Sequence, residues 1–228
     1  MYCRNIGGLH CWAHKPSPPA VRGTKCAKPL GFACAPARLQ PSHCIGPCGE
    51  RHFASQKPLA SYGPFHMVSP TRAELIGSIE SETPAQFAAL LRAFPGLSQI
   101  DMVECPGTGD DEANLALARM VRKGGISTHV PNGGSVRSGG VELFLAGAKR
   151  SAEPTAQFAV HSWMDENGLE ADDYAEGDPV HREYIDFYRE MGMAEPQARA
   201  FYAMTNSAAH DDALYLTSRD LARYVRLD

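Results

Sequence analysis

The pattern of apolar and polar positions becomes regular from about residue 65 onward. Apolar segments at 73–79, 100–104 and 125–130 have the length and composition of strands. Between them, apolar residues recur three or four positions apart, which predicts two helices, the first beginning at an N-cap Thr83 with proline in its first turn. The inward-facing residues of these helices are Phe87, Leu90, Leu91, Phe94, Ala113, Leu117, Met120 and Val121. Strands that alternate with helices predict an α/β fold with a mainly parallel sheet.

A glycine-rich loop, 133–140, follows the third strand and leads into another apolar helix. Counted from Ser138, the residues Val141, Phe144, Leu145 and Ala148 fall at helical spacing, which places Ser138 on the first turn and leaves Ser135 in the preceding loop. A short strand, 159–162, then carries His161. Parallel strands of an open sheet bring their carboxyl ends to one edge. The 133–140 loop and the earlier turn at 105–110 are therefore expected to lie side by side.

The second half of the folded region begins with an acidic insertion, residues 163–180. Two helices rich in aromatic residues follow at 181–206, and their aromatic faces suit either contact with a second subunit or an ordinary core. A short strand at 214–216 and a final helix that starts near Thr217 complete the chain.

Charge divides the chain into two unequal parts. Residues 1–60 hold eight of the 22 basic residues and one of the 26 acidic residues, which gives that part about +7 and the remainder about −11. We expect residues 1–64 to be a basic, proline- and cysteine-rich leader without stable structure, and residues 65–228 to be the folded domain. The acidic domain lacks the basic stripe of a nucleic-acid-binding protein, so no nucleic-acid partner is expected.

Six of the seven cysteines lie in the leader. A zinc site formed by Cys44 and Cys48, which are flanked by histidines, is the alternative interpretation. The paired short knuckles of convincing zinc motifs are missing, however, so we expect no metal. No apolar run reaches the length of a membrane span, and no apolar segment follows a basic start. These features predict a cytoplasmic protein without a membrane span.

The Ser138 and His161 pair points to acyl transfer. A serine hydroxyl becomes a good nucleophile when a base within hydrogen-bond reach takes its proton. Unpaired N–H groups at a helix start favour a developing oxyanion. Serine is also a common helix N-cap, and the local pattern leaves both roles open. Cys105 is expected to be a buried thiol without a catalytic role.

The order of these features over residues 70–228 resembles the Clp protease proteolytic subunit and the wider Clp-protease/crotonase superfamily. The resemblance rests on three features of the sequence: the segment Cys105-Pro106-Gly107-Thr108, the segment that runs from Ser138-Gly139-Gly140 to Ala148-Lys149, and His161, 23 positions after the serine. The resemblance implies repeated β-β-α units, a mainly parallel sheet and a helical handle at 181–206 that mediates subunit contacts.

The same resemblance implies the roles of individual residues. Ser138 would be the nucleophile, His161 the general base, and Asp212 the acid that orients the histidine, with Asp211 as the alternative because the match needs a one-residue gap. The backbone N–H groups of Thr108 and Gly139 would form the oxyanion hole, supported by Gly107. His210 has no role in this scheme.

The sequence therefore predicts a serine peptidase that cleaves peptide or other acyl bonds and needs no cofactor. Two alternatives stay open: a crotonase-like enzyme acting on an acyl-thioester, and a catalytically silent partner that keeps the fold and assembly surface. A homo-oligomer is expected, and an unfoldase partner is possible.

Overall fold

The structure is a computed structural model that describes residues 57–228. Most of the expected leader, residues 1–64, and the alternative zinc ligands Cys44 and Cys48 lie outside the described residues. Within 57–228, no helix is both long enough and apolar enough to cross a bilayer.

Nine strands and six α-helices make up the described domain. The strands are β1 Ala60–Tyr62, β2 Phe65–Ser69, β3 Arg72–Ile76, β4 Gln99–Cys105, β5 Ser127–Val130, β6 Ser135–Arg137, β7 Arg150–Ala152, β8 Gln157–Val160 and β9 Leu214–Leu216. The helices are α1 Thr83–Ala93, α2 Asp111–Lys123, α3 Gly139–Leu145, α4 Arg182–Glu190, α5 Glu195–Thr205 and α6 Ser218–Leu221. The alternation confirms the α/β fold predicted from the hydrophobic pattern.

The sheet is mixed, and its centre is parallel. The order along the main path is β1-β2-β3-β4-β6-β8-β9, while β5 pairs with β4 and β7 in a side branch. All pairs among β3 to β8 are parallel, and the two ends of the path, β1-β2-β3 and β8-β9, are antiparallel. The early part of β4 pairs with β5 and its last residues pair with β6, so β4 joins the two branches.

The sheet begins earlier in the chain than expected. Strand β1 starts at Ala60, before the predicted domain boundary at residue 65, and forms a hairpin with β2. The turn places Gly63 at φ 56°, a left-handed conformation that glycine adopts without steric cost. A three-residue strand carries too few positions to show period-two alternation, which is why the sequence pattern missed it.

Local structure differs from the expectation at three further positions. Ser135 lies in β6, because this segment fills the place between β4 and β8 and pairs with both. Thr83 is not the N-cap of α1: Glu82 is, and the Thr83 hydroxyl accepts from the N–H of Glu80 at 2.9 Å. Helix α3 ends at Leu145, so Ala148 is exposed and outside the buried stripe.

The aromatic residues of α4 and α5 are largely internal to this chain. Phe187, Tyr188 and Phe201 are buried, and Tyr188 stacks edge-on against Phe201 with ring centroids 4.9 Å apart. Of the two interpretations left open by the sequence, the packing favours an ordinary core for these rings. Thr217 is the N-cap of the four-residue helix α6, as expected, and its hydroxyl accepts from the N–H of Asp220.

Candidate active site

Three neighbouring parallel strands deliver the candidate residues to one edge of the sheet. In the register, Cys105 of β4 pairs with Val136 of β6, and Arg137 of β6 pairs with Ala159 of β8. The turn after β4, the residue after β6 and the residue after β8 therefore leave the sheet together. They bring the 106–108 turn, Ser138 and His161 to the same place, as expected for carboxyl ends of parallel strands.

Ser138 has an unusual backbone conformation. With φ 49° and ψ −133°, it is the single non-glycine residue with positive φ among residues 57–228. Its N–H donates to the carbonyl of Ala159 at 2.8 Å, which ties it to the end of β8. The residue occupies the N-cap position of α3, but its hydroxyl makes no capping hydrogen bond. The backbone strain at Ser138 destabilises the fold by about 1–3 kcal/mol, and no capping hydrogen bond from the serine hydroxyl offsets it.

His161 follows β8 directly and its ring is held by a backbone group. Its Nδ1 lies 2.8 Å from the carbonyl oxygen of Ser162. Because a carbonyl oxygen can only accept, we assign the ring proton to Nδ1, which leaves Nε2 as an acceptor in the neutral imidazole. No hydrogen bond joins Ser138 and His161 among the described residues, although both line one cavity. Proton-transfer contacts of this kind are often long before substrate binds.

The expected acid is not beside the histidine. Asp212 is exposed, and its Oδ1 accepts from the neighbouring N–H of Ala213. Asp211 is exposed as well, and neither carboxylate lines the cavity or bonds to His161 in the described part of the chain. Both residues lie in the turn where the N–H of Asp212 donates to the carbonyl of Ala209, and both are exposed to solvent.

His210 occupies the place next to His161. The two rings meet edge to face with centroids 4.8 Å apart, and Nδ1 of His210 lies 3.1 Å from the same Ser162 carbonyl. The N–H of His210 donates to Glu170 of the acidic insertion at 2.9 Å. Sequence reasoning assigned no role to this histidine, because it lies 49 positions after His161 and its approach depends on tertiary packing.

The candidate oxyanion donors lie against the serine. Gly107 has φ 135°, and a Cβ at this position would come within 3.0 Å of the Cβ of Ser138, so the close approach requires glycine. A Cβ on Gly139 would collide with Cγ2 of Thr108, which shows that these two residues are in contact. None of the hydrogen bonds among residues 57–228 uses the N–H of Thr108 or of Gly139. Two N–H groups without a hydrogen bond therefore belong to residues next to Ser138: Gly139 follows it in the chain, and Thr108 follows Gly107, which packs against it.

Side chains behind these residues hold them in place. The Thr108 hydroxyl donates to the carbonyl of Asp110 at 2.8 Å, and Nδ2 of the buried Asn114 donates to the carbonyl of Gly139 at 2.7 Å. Cys105 is buried as expected, and burial raises the pKa of its thiol to about 12. A thiol with such a pKa is protonated at neutral pH and is a poor nucleophile.

A cavity of about 220 Å³ contains Ser138, His161, Thr108 and Gly139 in its wall. Glu142, which sequence reasoning missed, also lines it and is only 7% exposed. The hydroxyl of Tyr188 donates to Oε1 of Glu142 at 2.7 Å. Burial raises the pKa of this carboxyl to about 7, and the Tyr188 hydrogen bond opposes part of that rise. The four-residue spacing from Ser138 to Glu142 was the available signal, since residues four apart share a helix face.

The acidic insertion closes one side of the cavity with Trp163 and Met164. Asp165 organises it: its carboxylate accepts from the N–H groups of Asn167 and Leu169 and from the hydroxyl of Tyr174. These hydrogen bonds lower the pKa of Asp165 to about 2, and the bond from Tyr174 has the largest effect. The Asp165 carboxylate therefore stabilises the conformation of its own loop.

No protein-family model matches the chain, and no curated protein matches it. The structure is similar to solved structures of two kinds of protease. A variant of ClpP1 from Listeria monocytogenes has a TM-score of 0.47 and 19% identity, covering 68% of this chain and 87% of that one. A membrane protease specific for a stomatin homolog from Pyrococcus horikoshii has a TM-score of 0.45 and 15% identity, with coverage of 69% and 71%. Likenesses this distant carry no argument about activity, which has to come from the site.

Proposed function

We propose that this chain is a serine hydrolase that cleaves peptide or other acyl bonds. Ser138 is the nucleophile, His161 the general base, and the N–H groups of Thr108 and Gly139 bind the oxyanion. The observation that carries the proposal is the strained Ser138 backbone beside two unpaired N–H donors. Strain of this kind persists where the surrounding structure imposes it, and it concentrates at functional sites.

The chemistry follows from these positions. As the Ser138 oxygen attacks the substrate carbonyl carbon, its proton passes to Nε2 of His161, and the carbonyl electron pair moves to the oxygen facing the two N–H donors. Collapse of this intermediate breaks the acyl bond, and the imidazolium returns the proton to the leaving amine or alcohol. Water then repeats the sequence on the acyl-enzyme and releases the free acid.

The histidine is oriented by a carbonyl in this proposal. The contact from Nδ1 to the Ser162 carbonyl selects the tautomer whose Nε2 can accept, which is the geometric role that an aspartate has in a triad. A neutral carbonyl stabilises the imidazolium less than a carboxylate does. We therefore infer a Ser–His dyad, with Asp212 and Asp211 outside the proton transfer. Assembly into a homo-oligomer and an unfoldase partner stay predictions.

Labelling with a fluorophosphonate probe tests the nucleophile directly. The full chain should react at one serine, and mapping of the modified peptide should identify Ser138. Ser138→Ala should abolish both labelling and turnover of a peptide or ester reporter. Ser135→Ala is the matched control, because this serine lies three residues away, its hydroxyl accepts from Arg137, and it does not line the cavity. Full labelling of a folded Ser138→Ala protein, or no labelling of the native chain, would contradict the proposal.

A further inference from the structure

Glu142 is a buried carboxyl that the proposed chemistry does not use. It lies in α3, four positions after Ser138, and both residues line the same cavity. One oxygen, Oε1, accepts from the hydroxyl of Tyr188. The other, Oε2, accepts no hydrogen bond from another residue among residues 57–228. The side chain therefore offers a vacant acceptor within one helical turn of the nucleophile.

The surroundings of Glu142 favour positive charge. A second carboxylate, Asp111, lines the same cavity, and no lysine or arginine is among its lining residues, all of which the structure describes. The charges of Asp111 and Glu142 add to burial in raising the pKa of Tyr184, which shows that both carboxylates act on this region. Asn114 and Asn206 also line the cavity, but the Oδ1 atom of each, which lacks a partner within residues 57–228, is fully buried and not open to an occupant.

Aromatic rings complete the wall. Tyr184, Tyr188, Tyr202 and Trp163 line the cavity beside the two carboxylates. Ring faces attract cations, most strongly where water is excluded, and they also cover the methylene groups of a long side chain. A cavity with carboxylate acceptors and aromatic rings, and without a lysine or arginine in its wall, suits a long cationic group.

We propose that this cavity is a specificity pocket in which Glu142 binds the ammonium or guanidinium group of a lysine or arginine side chain next to the scissile carbonyl. The proposal rests on the proposed hydrolase function and names its substrate class. The occupant supplies the hydrogen-bond donors that Oε2 lacks, and its charge offsets the cost of burying the carboxylate. Asp111, which is exposed, adds attraction from the mouth of the pocket.

Matched substrates measure the preference. Fluorogenic peptides that differ only in arginine or citrulline before the scissile bond should be cleaved by the full chain at pH 8 with about ten- to a hundred-fold higher kcat/KM for arginine. The lysine and norleucine pair should behave in the same way. Glu142→Gln should lower the arginine-to-citrulline ratio at least about tenfold, whereas Glu166→Gln, which removes an exposed carboxylate outside the cavity, should leave the ratio unchanged.

Binding without turnover separates this proposal from the proposed function. Arginine amide should bind the Ser138→Ala protein at pH 8, measured by calorimetry, and Glu142→Gln in that background should weaken it at least about tenfold. Equal cleavage of arginine and citrulline peptides, or absent binding of arginine amide, would overturn the pocket while leaving the hydrolase intact. Binding of arginine amide by a chain that neither hydrolyses reporters nor reacts with fluorophosphonate would support the pocket and contradict the hydrolase.

Discussion

Replacing Glu142 by glutamine should stabilise the protein at alkaline pH and much less at acidic pH. The carboxyl is buried, and burial raises its pKa from the ordinary 4.5 to about 7. The folded state therefore holds this proton more tightly than the unfolded chain does. Between pH 4.5 and 7 the folded state binds more protons, so the contribution of Glu142 to the free energy of unfolding falls as pH rises through that window and stays low above it.

The size of the effect follows from the two pKa values. A difference of about 2.5 pKa units, at 1.36 kcal/mol for each, corresponds to about 3 kcal/mol. Glutamine keeps the shape and can still accept from the Tyr188 hydroxyl, but it carries no charge to desolvate. The stability of Glu142→Gln relative to the native protein should therefore rise by about 3 kcal/mol between pH 4.5 and pH 8.5.

Urea unfolding at several pH values provides the measurement. The quantity of interest is the difference in the free energy of unfolding between variant and native protein, because titration of all other groups cancels in it. Glu166→Gln supplies the baseline for loss of an exposed carboxylate. A difference for Glu142→Gln that stays constant from pH 4.5 to pH 8.5 within about 0.5 kcal/mol would refute the reasoning, since burial would then cost the charged form nothing.

Three further predictions address neighbouring features. Gly107→Ala should lower kcat/KM about a hundredfold, because a side chain at φ 135° and 3.0 Å from the nucleophile's Cβ displaces the oxyanion donors; a near-native kcat/KM would contradict the close approach. Asp212→Asn should change kcat by less than about threefold while His161→Ala lowers it about a thousandfold or more, and a large loss with Asp212→Asn would restore that residue as the triad acid. Arg150→Lys should lower the free energy of unfolding in urea by about 2–4 kcal/mol, because the buried guanidinium donates to two backbone carbonyls that an ammonium cannot reach together. Arg199→Lys, at an exposed arginine, is the control and should change the free energy of unfolding little.

The sequence predicted the parts of the fold that depend on repeated local patterns. Helices α1 and α2 and strands β3 to β5 carry several apolar residues at regular spacing, and each was found within a few residues of its place. Strands β1, β6 and β7 have three residues each, and their pairing comes from neighbours far along the chain. Three residues are too few to show a repeating pattern, and the sequence predicted one strand of this length, β9, where all three residues are apolar.

The site was predictable where strand ends determine it. Parallel strands place Ser138 and His161 at one edge of the sheet. The pairing of β6 with β8 is enough to bring them there, so their proximity can be predicted without knowing any side-chain contact. The position of Asp212 depends instead on how the turn at 207–213 packs after α5, and in that turn His210, not Asp212, lies beside His161. Helix packing also hid Glu142: all residues from 140 to 145 are buried, so the apolar stripe did not mark the inward face.

Glu142 provides a last prediction, which links the pocket to proton release. A buried carboxyl can stay neutral, accept hydrogen bonds or pair with a cation. Without an occupant it has one hydrogen bond, from Tyr188, and a pKa of about 7, so about half of the molecules hold the proton at pH 7. A guanidinium in the pocket favours the ionised form. Binding of arginine amide to Ser138→Ala at pH 7 should therefore release about half a proton per molecule bound, and close to none at pH 8.5. Calorimetry in buffers of different ionisation enthalpy measures this number, and the Glu142→Gln background serves as the control. Equal proton release at both pH values would show that the occupant does not titrate Glu142, and the carboxyl would then be a hydrogen-bonded wall residue that stays neutral when the pocket is filled.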